Sequence, residues 1–302
     1  MLFVEWAISH NVPLTTFTET HLTNFLAEMF EARGYHHSII CLFRSAVTHL
    51  HQNPVSTRAS EMVNALIKSL KAQASPKQIH RPTINLGSTL LELCRIDIDS
   101  PSTPIVHLQK KLAFLLGMAA FLHPSELHRI DFSTAAIKTE SGRHFLFFQV
   151  IAPKEKRGGQ RIVKPFQVYS HHVCELCPVA TFKSLQHRLY LLVSPPRVSS
   201  FFVNTNDTTQ MVTISTISTW LCRLLRFSSD EPRTNLRSLS SSAAPRAGVD
   251  INDIVTLGNW SSSAVFEQYY YREQLSLVDF INTVLPVPAD DNVFHDAESS
   301  FD

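Results

Sequence analysis

The sequence LGNWSSSAVFEQYYYR occupies residues 257–272 and decides the fold assignment. Apolar spacing over residues 251–257, and again over residues 262–271, predicts two helices. Polar residues around Trp260 separate these helices, and the second helix ends in three consecutive tyrosines. The pattern brings one indole N–H donor and three phenol hydroxyls into a short part of the chain.

Upstream of this stretch the chain is predicted to be mainly helical, with one small antiparallel sheet. Residues 144–152 and 161–169 are rich in aromatic and β-branched residues, which are typical of strands. The basic segment between them, residues 153–160, contains two glycines and predicts a hairpin loop. Further helices are predicted at residues 88–95, 105–121, 125–130, 178–191, 214–227 and 238–247.

The first part of the chain has a purely helical pattern. Apolar residues recur at a spacing of three and four in residues 18–32, 35–51 and 57–72, which predicts amphipathic helices. Pro76 and Pro82 then stand among polar and basic residues, which is typical of a linker. We therefore expect a helical domain over residues 1–75, a linker over 76–84, a second domain over 85–280 and an acidic, disordered tail over 281–302.

Composition indicates a globular protein. Of 302 residues, 44% are hydrophobic and 18% are charged, so the chain can bury a substantial core. The formal net charge is only +1, so any contact with nucleic acid must come from local basic patches. We expect an intracellular protein without a membrane partner, because the start does not resemble a secretory signal and no apolar run reaches the length of about 18 residues that a span needs. Five cysteines without regular spacing argue against a disulfide framework.

Four separated segments carry a resemblance to a known family. They are FLHPSEL at residues 121–127, LRS at 236–238 followed by AGVDI at 247–251, the LGNWSSS part of the deciding stretch, and FEQYYYR at 266–272. In this order and spacing they resemble the catalytic domain of tyrosine recombinases, the phage-integrase-like family. The GNWSSS segment and the LCPV turn at residues 176–179 are most similar to fungal Crypton-type mobile elements.

The resemblance covers roughly residues 10–275 and implies a two-domain architecture. Residues 1–75 would form a helical, SAM-like core-binding domain, matched by architecture alone, and residues 85–280 an α+β integrase-like catalytic domain. In this family a tyrosine hydroxyl attacks a DNA phosphodiester and forms a 3′-phosphotyrosine while a 5′-hydroxyl leaves. The reaction conserves bond energy, so the resemblance implies no cofactor and no catalytic metal. Arginine side chains stabilise the charge on the phosphoryl oxygens, and a hairpin lysine serves as general acid.

The family's roles transfer to individual residues of this chain. Arg237 occupies the second arginine position, and Trp260 occupies the position of the His or Trp donor. Glu126 matches the acidic residue that supports the first arginine. Lys154 is the first choice for the hairpin lysine, with Lys156 as the alternative.

Two tyrosines compete for the role of nucleophile. Counting from Trp260 as in prokaryotic members selects Tyr269, whereas the Crypton-like ending, an aromatic residue and a tyrosine shortly before arginine, selects Tyr270. We prefer Tyr270.

Two positions depart from the family pattern. His123 stands where the first arginine is expected, and Thr234 stands where His or Lys is usual, three residues before Arg237. A neutral imidazole cannot grip two oxygens, and loss of one donor to a developing oxyanion typically costs about 10²–10³ in rate. The hypothesis that follows is a protein that binds DNA but cleaves it slowly or not at all.

Duplex DNA is the expected partner, with a tetramer on DNA as the family's working form and the nucleus as the location. Basic residues that would meet phosphates are Lys68, Lys71, Lys77, Lys156 and Arg157. Two other functions remain open: a non-catalytic DNA-binding or interaction module that is domesticated or decaying, and a helical scaffold with no role on nucleic acid.

A zinc site is the competing reading of one cysteine pair. Cys174 and Cys177 follow His171 and His172, which suggests metal binding. A structural zinc site commonly takes two separated pairs of ligands, and the sequence has no second cysteine pair. No metal site is expected.

Overall fold

The computed structural model of the chain describes residues 2–74, 80–157, 160–192, 200–231 and 234–274, without the side chains of residues 152–157, 161 and 192. It divides into two compact units, Met1–Gln78 and Ile79–Asp302. The sequence boundaries between core-binding domain, linker and catalytic domain remain predictions, and the predicted tail lies outside the described residues.

The first unit is helical. Its helices are α1 (Leu2–Ser9), α2 (Glu19–Glu31), α3 (His37–Thr48), α4 (Pro54–Ala59) and α5 (Glu61–Gln73). The predicted helix over residues 57–72 is divided at Ser60, whose non-helical backbone ends α4 and whose hydroxyl accepts a hydrogen bond from Val63 N at the start of α5. The apolar stripes of α2, α3 and α5 meet in one core with Phe3, Trp6 and Phe17.

Within its described residues the second unit contains eight α-helices and one short 3₁₀ helix, Cys174–Leu176. The α-helices are α6 (Gly87–Cys94), α7 (Ile105–Ala119), α8 (Pro124–Leu127), α9 (Pro178–Leu192), α10 (Ile214–Leu225), α11 (Leu236–Arg246), α12 (Ile251–Gly258) and α13 (Ser263–Tyr269). Helix α7 is apolar on most of its surface, and it is buried against α9, α10 and α11. None of the helices in the described parts of the chain is long and apolar enough to cross a bilayer.

Three antiparallel strands form a sheet in the order β1 (Ile130–Glu140), β2 (Arg143–Arg157) and β3 (Gln160–Tyr169). Ile137 pairs with Leu146, and Leu146 pairs with Val168. The sequence did not predict β1, because its pairing with β2 shifts between Asp131 and Ala136 and interrupts the alternation of buried residues. The prediction of helix over residues 125–130 was wrong at its end, since Ile130 is buried and opens β1.

The hairpin between β2 and β3 is longer than predicted. Residues 153–157 continue β2 instead of forming the loop, and Arg157 pairs with Gln160 across the hairpin. The turn itself, residues 158–159, lies outside the described residues.

A small aromatic core lies beside the main core of the second unit. Phe121, Ile254 and Phe266 are buried there, and Trp260 and Tyr270 pack against them. Phe121 has φ +52, a left-handed conformation that is unusual for a bulky residue. This backbone turn brings its ring to 6.2 Å from the ring of Trp260, which connects the end of α7 to the stretch that follows α12.

Candidate active site

Arg237 stands at the centre of the site, in the first turn of α11. The Asn235 side chain caps that helix by accepting a hydrogen bond from Arg237 N at 3.0 Å. The Arg237 side chain is buried, with 8% of the residue exposed. Its Nη1 donates to Glu126 Oε2 at 2.7 Å and its Nη2 donates to Gly258 O, whereas Nε has no hydrogen-bond partner among the described residues.

Glu126 joins two helix starts. Its Oε2 accepts the Arg237 bond and also a bond of 2.9 Å from His123 N, which closes a capping box at α8. The predicted role of Glu126 was support of the first arginine position. In the structure its carboxylate contacts the backbone of His123, at the first arginine position, and the side chain of Arg237, at the second.

Trp260 follows α12 after a left-handed Asn259, which has φ 57 and ψ 41. The Trp260 ring packs directly on Gly258, where a Cβ would overlap the indole. The guanidinium carbon of Arg237 lies 4.9 Å from the centre of this ring. The indole Nε1 is buried and, within the described parts of the chain, has no hydrogen-bond partner. Two unpaired N–H donors therefore belong to side chains in direct contact.

The three tyrosines occupy different environments. Helix α13 ends at Tyr269, earlier than predicted, so Tyr270 is its C-cap. The Tyr270 ring is half-buried, 4.7 Å from the Trp260 ring and 5.4 Å from the Arg237 guanidinium carbon. Tyr269 is 54% exposed, and Tyr271 packs on Phe266. Of the two competing tyrosines, Tyr270 is the one whose ring contacts both Arg237 and Trp260 in the structure.

His123 and Thr234 line a pocket of about 240 Å³ together with Arg237. His123 is exposed, and its Nδ1 accepts a hydrogen bond from Ser125 N at 3.2 Å as the cap of α8. Thr234 donates its hydroxyl to Glu231 O at 2.9 Å. His123 and Thr234, which depart from the family pattern, thus lie beside Arg237, which matches it.

Comparison with protein-family models finds no match for the sequence, and comparison with curated proteins finds none either. Solved structures do match the fold. A lambda integrase dimer bound to a COC′ core site is 15% identical, with a TM-score of 0.50 over 91% of this chain and 89% of that one. The XerH site-specific recombinase in a post-cleavage complex with palindromic difH substrate is 14% identical, with a TM-score of 0.54 over 84% of this chain and 68% of that one. The Tn1549 transposon integrase in complex with circular intermediate DNA is 10% identical, with a TM-score of 0.52 over 90% of this chain and 85% of that one.

The chain has the tyrosine recombinase fold. The predicted fold class, mainly α with a small antiparallel sheet, is confirmed. Identities of 10–15% establish the fold alone, so the roles of individual residues are argued from the geometry.

The hairpin of β2 and β3 is the element on which the sequence predicts the general acid. Lys154 and its alternative Lys156 lie on β2, as does Arg157, and their side chains are outside the described residues. Sequence reasoning missed Lys164, on β3. Its Nζ donates to Thr256 O at 2.8 Å and to Leu257 O at 3.1 Å, so it caps the carboxyl end of α12 just before Trp260.

Two serines of α11 were also missed as parts of the site. Ser238 and Ser242 donate their hydroxyls to the carbonyl oxygen of Tyr270, at 2.6 and 3.0 Å. The sequence pattern predicts both only as residues of the helix that follows Arg237. The signal available in the sequence is their spacing of four, which places both hydroxyls on one face of that helix.

The remaining predicted residues belong to other elements of the chain or lie outside the described residues. Lys68 and Lys71 are exposed on α5 of the first unit, and Lys77 lies outside the described residues. Cys174 is exposed and Cys177 is buried. Among the side chains that the structure describes, no group of three or more His, Cys, Asp or Glu residues is arranged to hold a metal ion.

Proposed function

We propose that this protein binds duplex DNA and is built for strand breakage and rejoining through a 3′-phosphotyrosine on Tyr270. One observation carries the proposal: Arg237 Nε and Trp260 Nε1 are both buried next to the ring of Tyr270, and neither has a hydrogen-bond partner in the part of the chain that the structure describes. A buried N–H donor left unpaired costs about 1–3 kcal/mol, so an acceptor is expected to complete the site. A phosphate oxygen fits two converging donors, one of which is charged.

Both donors are covered from solvent, and the half-buried ring of Tyr270 lies against the side chains that carry them. A phosphate reaches them only if a covering side chain moves. We expect the Tyr270 side chain to rotate outward as the phosphate enters, because it is partly exposed, whereas Arg237 is buried and the Trp260 ring is packed on Gly258. Its hydroxyl would then face the phosphorus atom while Arg237 and Trp260 hold the non-bridging oxygens.

The proposed chemistry needs only side chains of the protein and water. The Tyr270 hydroxyl loses its proton to water and its oxygen forms a bond to phosphorus, while the bond to the 5′-oxygen breaks and Lys154 donates a proton to that leaving oxygen. Attack by a 5′-hydroxyl on the phosphotyrosine reverses both changes. Glu126 holds the Arg237 guanidinium in place and leaves Nε for the substrate.

His123 makes the alternative, a non-catalytic DNA-binding module, a serious second candidate. An imidazole carries its two ring nitrogens on different edges of the ring and lacks the parallel N–H groups of a guanidinium, so His123 adds no two-pronged grip to the pocket. The site then has Arg237 as its one arginine grip among the described residues lining the pocket, and slow cleavage follows.

The partner and cellular setting are part of the proposal. The solved recombinases with this fold are in complexes with DNA core sites, difH substrate or circular intermediate DNA, which supports duplex DNA as the partner here. The GNWSSS resemblance supports a Crypton-type mobile element as the origin, with the nucleus as location and a tetramer on DNA as the working form.

A covalent-capture assay tests the proposal. The protein is incubated with a pool of nicked random-sequence duplexes, labelled at the 5′ end of the nicked strand so that a 3′-phosphotyrosine keeps the label. We expect labelled protein that Tyr270→Phe abolishes and that Tyr269→Phe, the matched control, retains. Filter binding at increasing salt measures DNA affinity separately, and affinity should fall steeply with salt.

The outcomes separate the candidates. Salt-sensitive binding without adduct supports the non-catalytic module. An adduct lost with Tyr269→Phe alone contradicts the choice of nucleophile. Absence of any salt-sensitive DNA binding leaves only the helical scaffold and overturns the proposal.

A further inference from the structure

Arg272, two residues after Tyr270, is the most deeply buried arginine among the described residues. Only 1% of it is exposed, although it carries a charge. Its Nη2 donates to Glu231 Oε2 at 2.5 Å, and both Nε and Nη2 donate to the carbonyl oxygen of Pro82, at 3.4 and 3.2 Å. One planar guanidinium therefore joins three separate segments of the second unit.

The backbone around Arg272 is fixed as well. Arg272 N donates to Ser242 Oγ at 3.0 Å, and Arg272 O accepts from Arg81 N at 2.7 Å. The next residue, Glu273, accepts from the hydroxyl of Thr83 and pairs with Arg246 at 2.7 Å. Residues 271–274, which we call the post-tyrosine segment, are thereby tied to residues 81–83 and to α11.

These bonds determine where the tyrosine can lie. The carbonyl oxygen of Tyr270 is held by Ser238 and Ser242, and the same Ser242 hydroxyl accepts from Arg272 N. The short stretch of backbone from Tyr270 O to Arg272 N is thus held at both ends by the hydroxyl of Ser242. Movement of Arg272 would release one end and let the backbone of Tyr270 shift, so that its hydroxyl no longer reaches the position beside Arg237 and Trp260 from which it would attack.

General stability does not account for a buried guanidinium at this position. Removing a charge from water offsets much of what its ion pair contributes, and an apolar side chain of similar volume would fill the same space. A guanidinium offers something else: its flat fork binds two acceptors in a fixed relative orientation. Here those acceptors are the carboxylate of Glu231 and the backbone of Pro82.

We propose that Arg272 is a positioning residue for the nucleophile, because its bonds to Glu231 and Pro82 fix the backbone from which the Tyr270 side chain projects beside Trp260 and Arg237. The inference rests on the proposed function, because it assigns Arg272 a part in the cleavage by Tyr270. In this role Arg272 does not need to contact the phosphate.

The test uses the full chain and two independent readouts. The first is the rate of covalent adduct formation on the nicked duplex pool, measured beside DNA affinity. The second is acrylamide quenching of Trp260 fluorescence in a Trp6→Phe, Trp220→Phe background, which leaves Trp260 as the single tryptophan of the chain. Arg272→Gln is compared with Arg95→Gln, an arginine whose ion pair with Glu92 lies at the surface.

We expect Arg272→Gln to slow adduct formation by about 100-fold, since a misplacement of about 1 Å has an effect of that size. DNA affinity should stay unchanged, quenching of Trp260 should increase, and Arg95→Gln should alter nothing. If Arg272→Gln does not fold, the double variant Arg272→Met, Glu231→Met replaces it. This variant removes both charges together, so it leaves no uncompensated charge in the interior. It should show the same slow cleavage and the same increase in quenching.

A folded Arg272 variant with wild-type quenching and a wild-type adduct rate overturns the proposal. If wild-type protein forms no adduct at all, the proposed function fails while the quenching result still decides whether Arg272 holds Tyr270 in place. Equal losses of adduct formation and DNA affinity would assign Arg272 a structural role and contradict the inference.

Discussion

Glu126 and Arg237 form a buried ion pair, with 2.7 Å between Oε2 and Nη1, across 111 positions of sequence. The same carboxylate oxygen accepts a bond from His123 N. The pair therefore locks the start of α8, which carries His123, to the start of α11, which carries Arg237. It fixes the relative position of the two places where the recombinase pattern expects arginine.

The first prediction concerns this ion pair. Glu126→Ala should lower the free energy of unfolding by about 3–5 kcal/mol, because it leaves the Arg237 charge buried without compensation. Urea denaturation measures the loss. The matched control is Glu92→Ala, whose partner Arg95 is exposed, and it should cost no more than about 1 kcal/mol. Equal losses for the two variants would show that the buried pair contributes no more than a surface one.

The second prediction restores the first arginine. His123→Arg should raise the rate of covalent adduct formation by about 10²–10³, the usual value of one donor to a developing oxyanion. Loss of the His123 cap on Ser125 N should cost roughly 1 kcal/mol of stability at the same time. His123→Gln, which cannot supply a guanidinium, is the control and should bring no gain. An unchanged adduct rate in a folded His123→Arg protein that still binds DNA would mean that cleavage is limited elsewhere.

The third prediction concerns the contact between Gly258 and Trp260. A Cβ at Gly258 would overlap the indole ring, so Gly258→Ala should displace Trp260 and disturb the bond from Arg237 to Gly258 O. Overpacking of this kind typically costs about 1–3 kcal/mol. The emission of Trp260 in the single-tryptophan background should shift.

Gly142→Ala is the control for that prediction. Gly142 has φ +77 and open space around it, so alanine there brings backbone strain of about 1–2 kcal/mol without touching Trp260. An identical emission spectrum in Gly258→Ala would contradict the packing argument.

The fourth prediction separates backbone strain from packing at Phe121. This residue has φ +52, a backbone conformation that glycine adopts without steric strain and that costs alanine about 1–2 kcal/mol. Both Phe121→Gly and Phe121→Ala should be destabilising, because removal of a buried phenylalanine costs about 3–5 kcal/mol. The glycine variant should nevertheless be the more stable of the two. Chemical denaturation of both proteins gives the order, and a more stable alanine variant would argue against a strained turn.

The fifth prediction is a dependence of stability on pH. Burial lowers the pKa of Lys111 below its ordinary value of 10.5, while its Nζ donates to Ile96 O at 2.7 Å. The unfolded chain then binds this proton more tightly, so the free energy of unfolding rises with pH from the lowered pKa up to about 10.5. Wild type should therefore gain stability relative to Lys111→Met as the pH increases through this range. The exposed Lys68→Met serves as control, and parallel curves for wild type and Lys111→Met would refute the assignment.

Most helices of the fold could be predicted because each one carries its own apolar period. Helix α7 is the clearest case, since its strongly apolar sequence requires burial. Strand β1 could not be predicted, because its alternation is broken between Asp131 and Ala136 and only its pairing with β2 defines it.

The sequence also determined which residue types the site contains, because Arg237, Trp260 and the tyrosines stand in segments whose order and spacing carry the resemblance. Only the tertiary structure brought Tyr270 rather than Tyr269 against Trp260 and Arg237, since helix α13 ends one residue before it. Only the tertiary structure showed the pairing of Glu126 with Arg237 and the bonds from Arg272 to Glu231 and Pro82. Local patterns report the period of one element, whereas these contacts join residues that are distant in sequence and depend on how the elements pack.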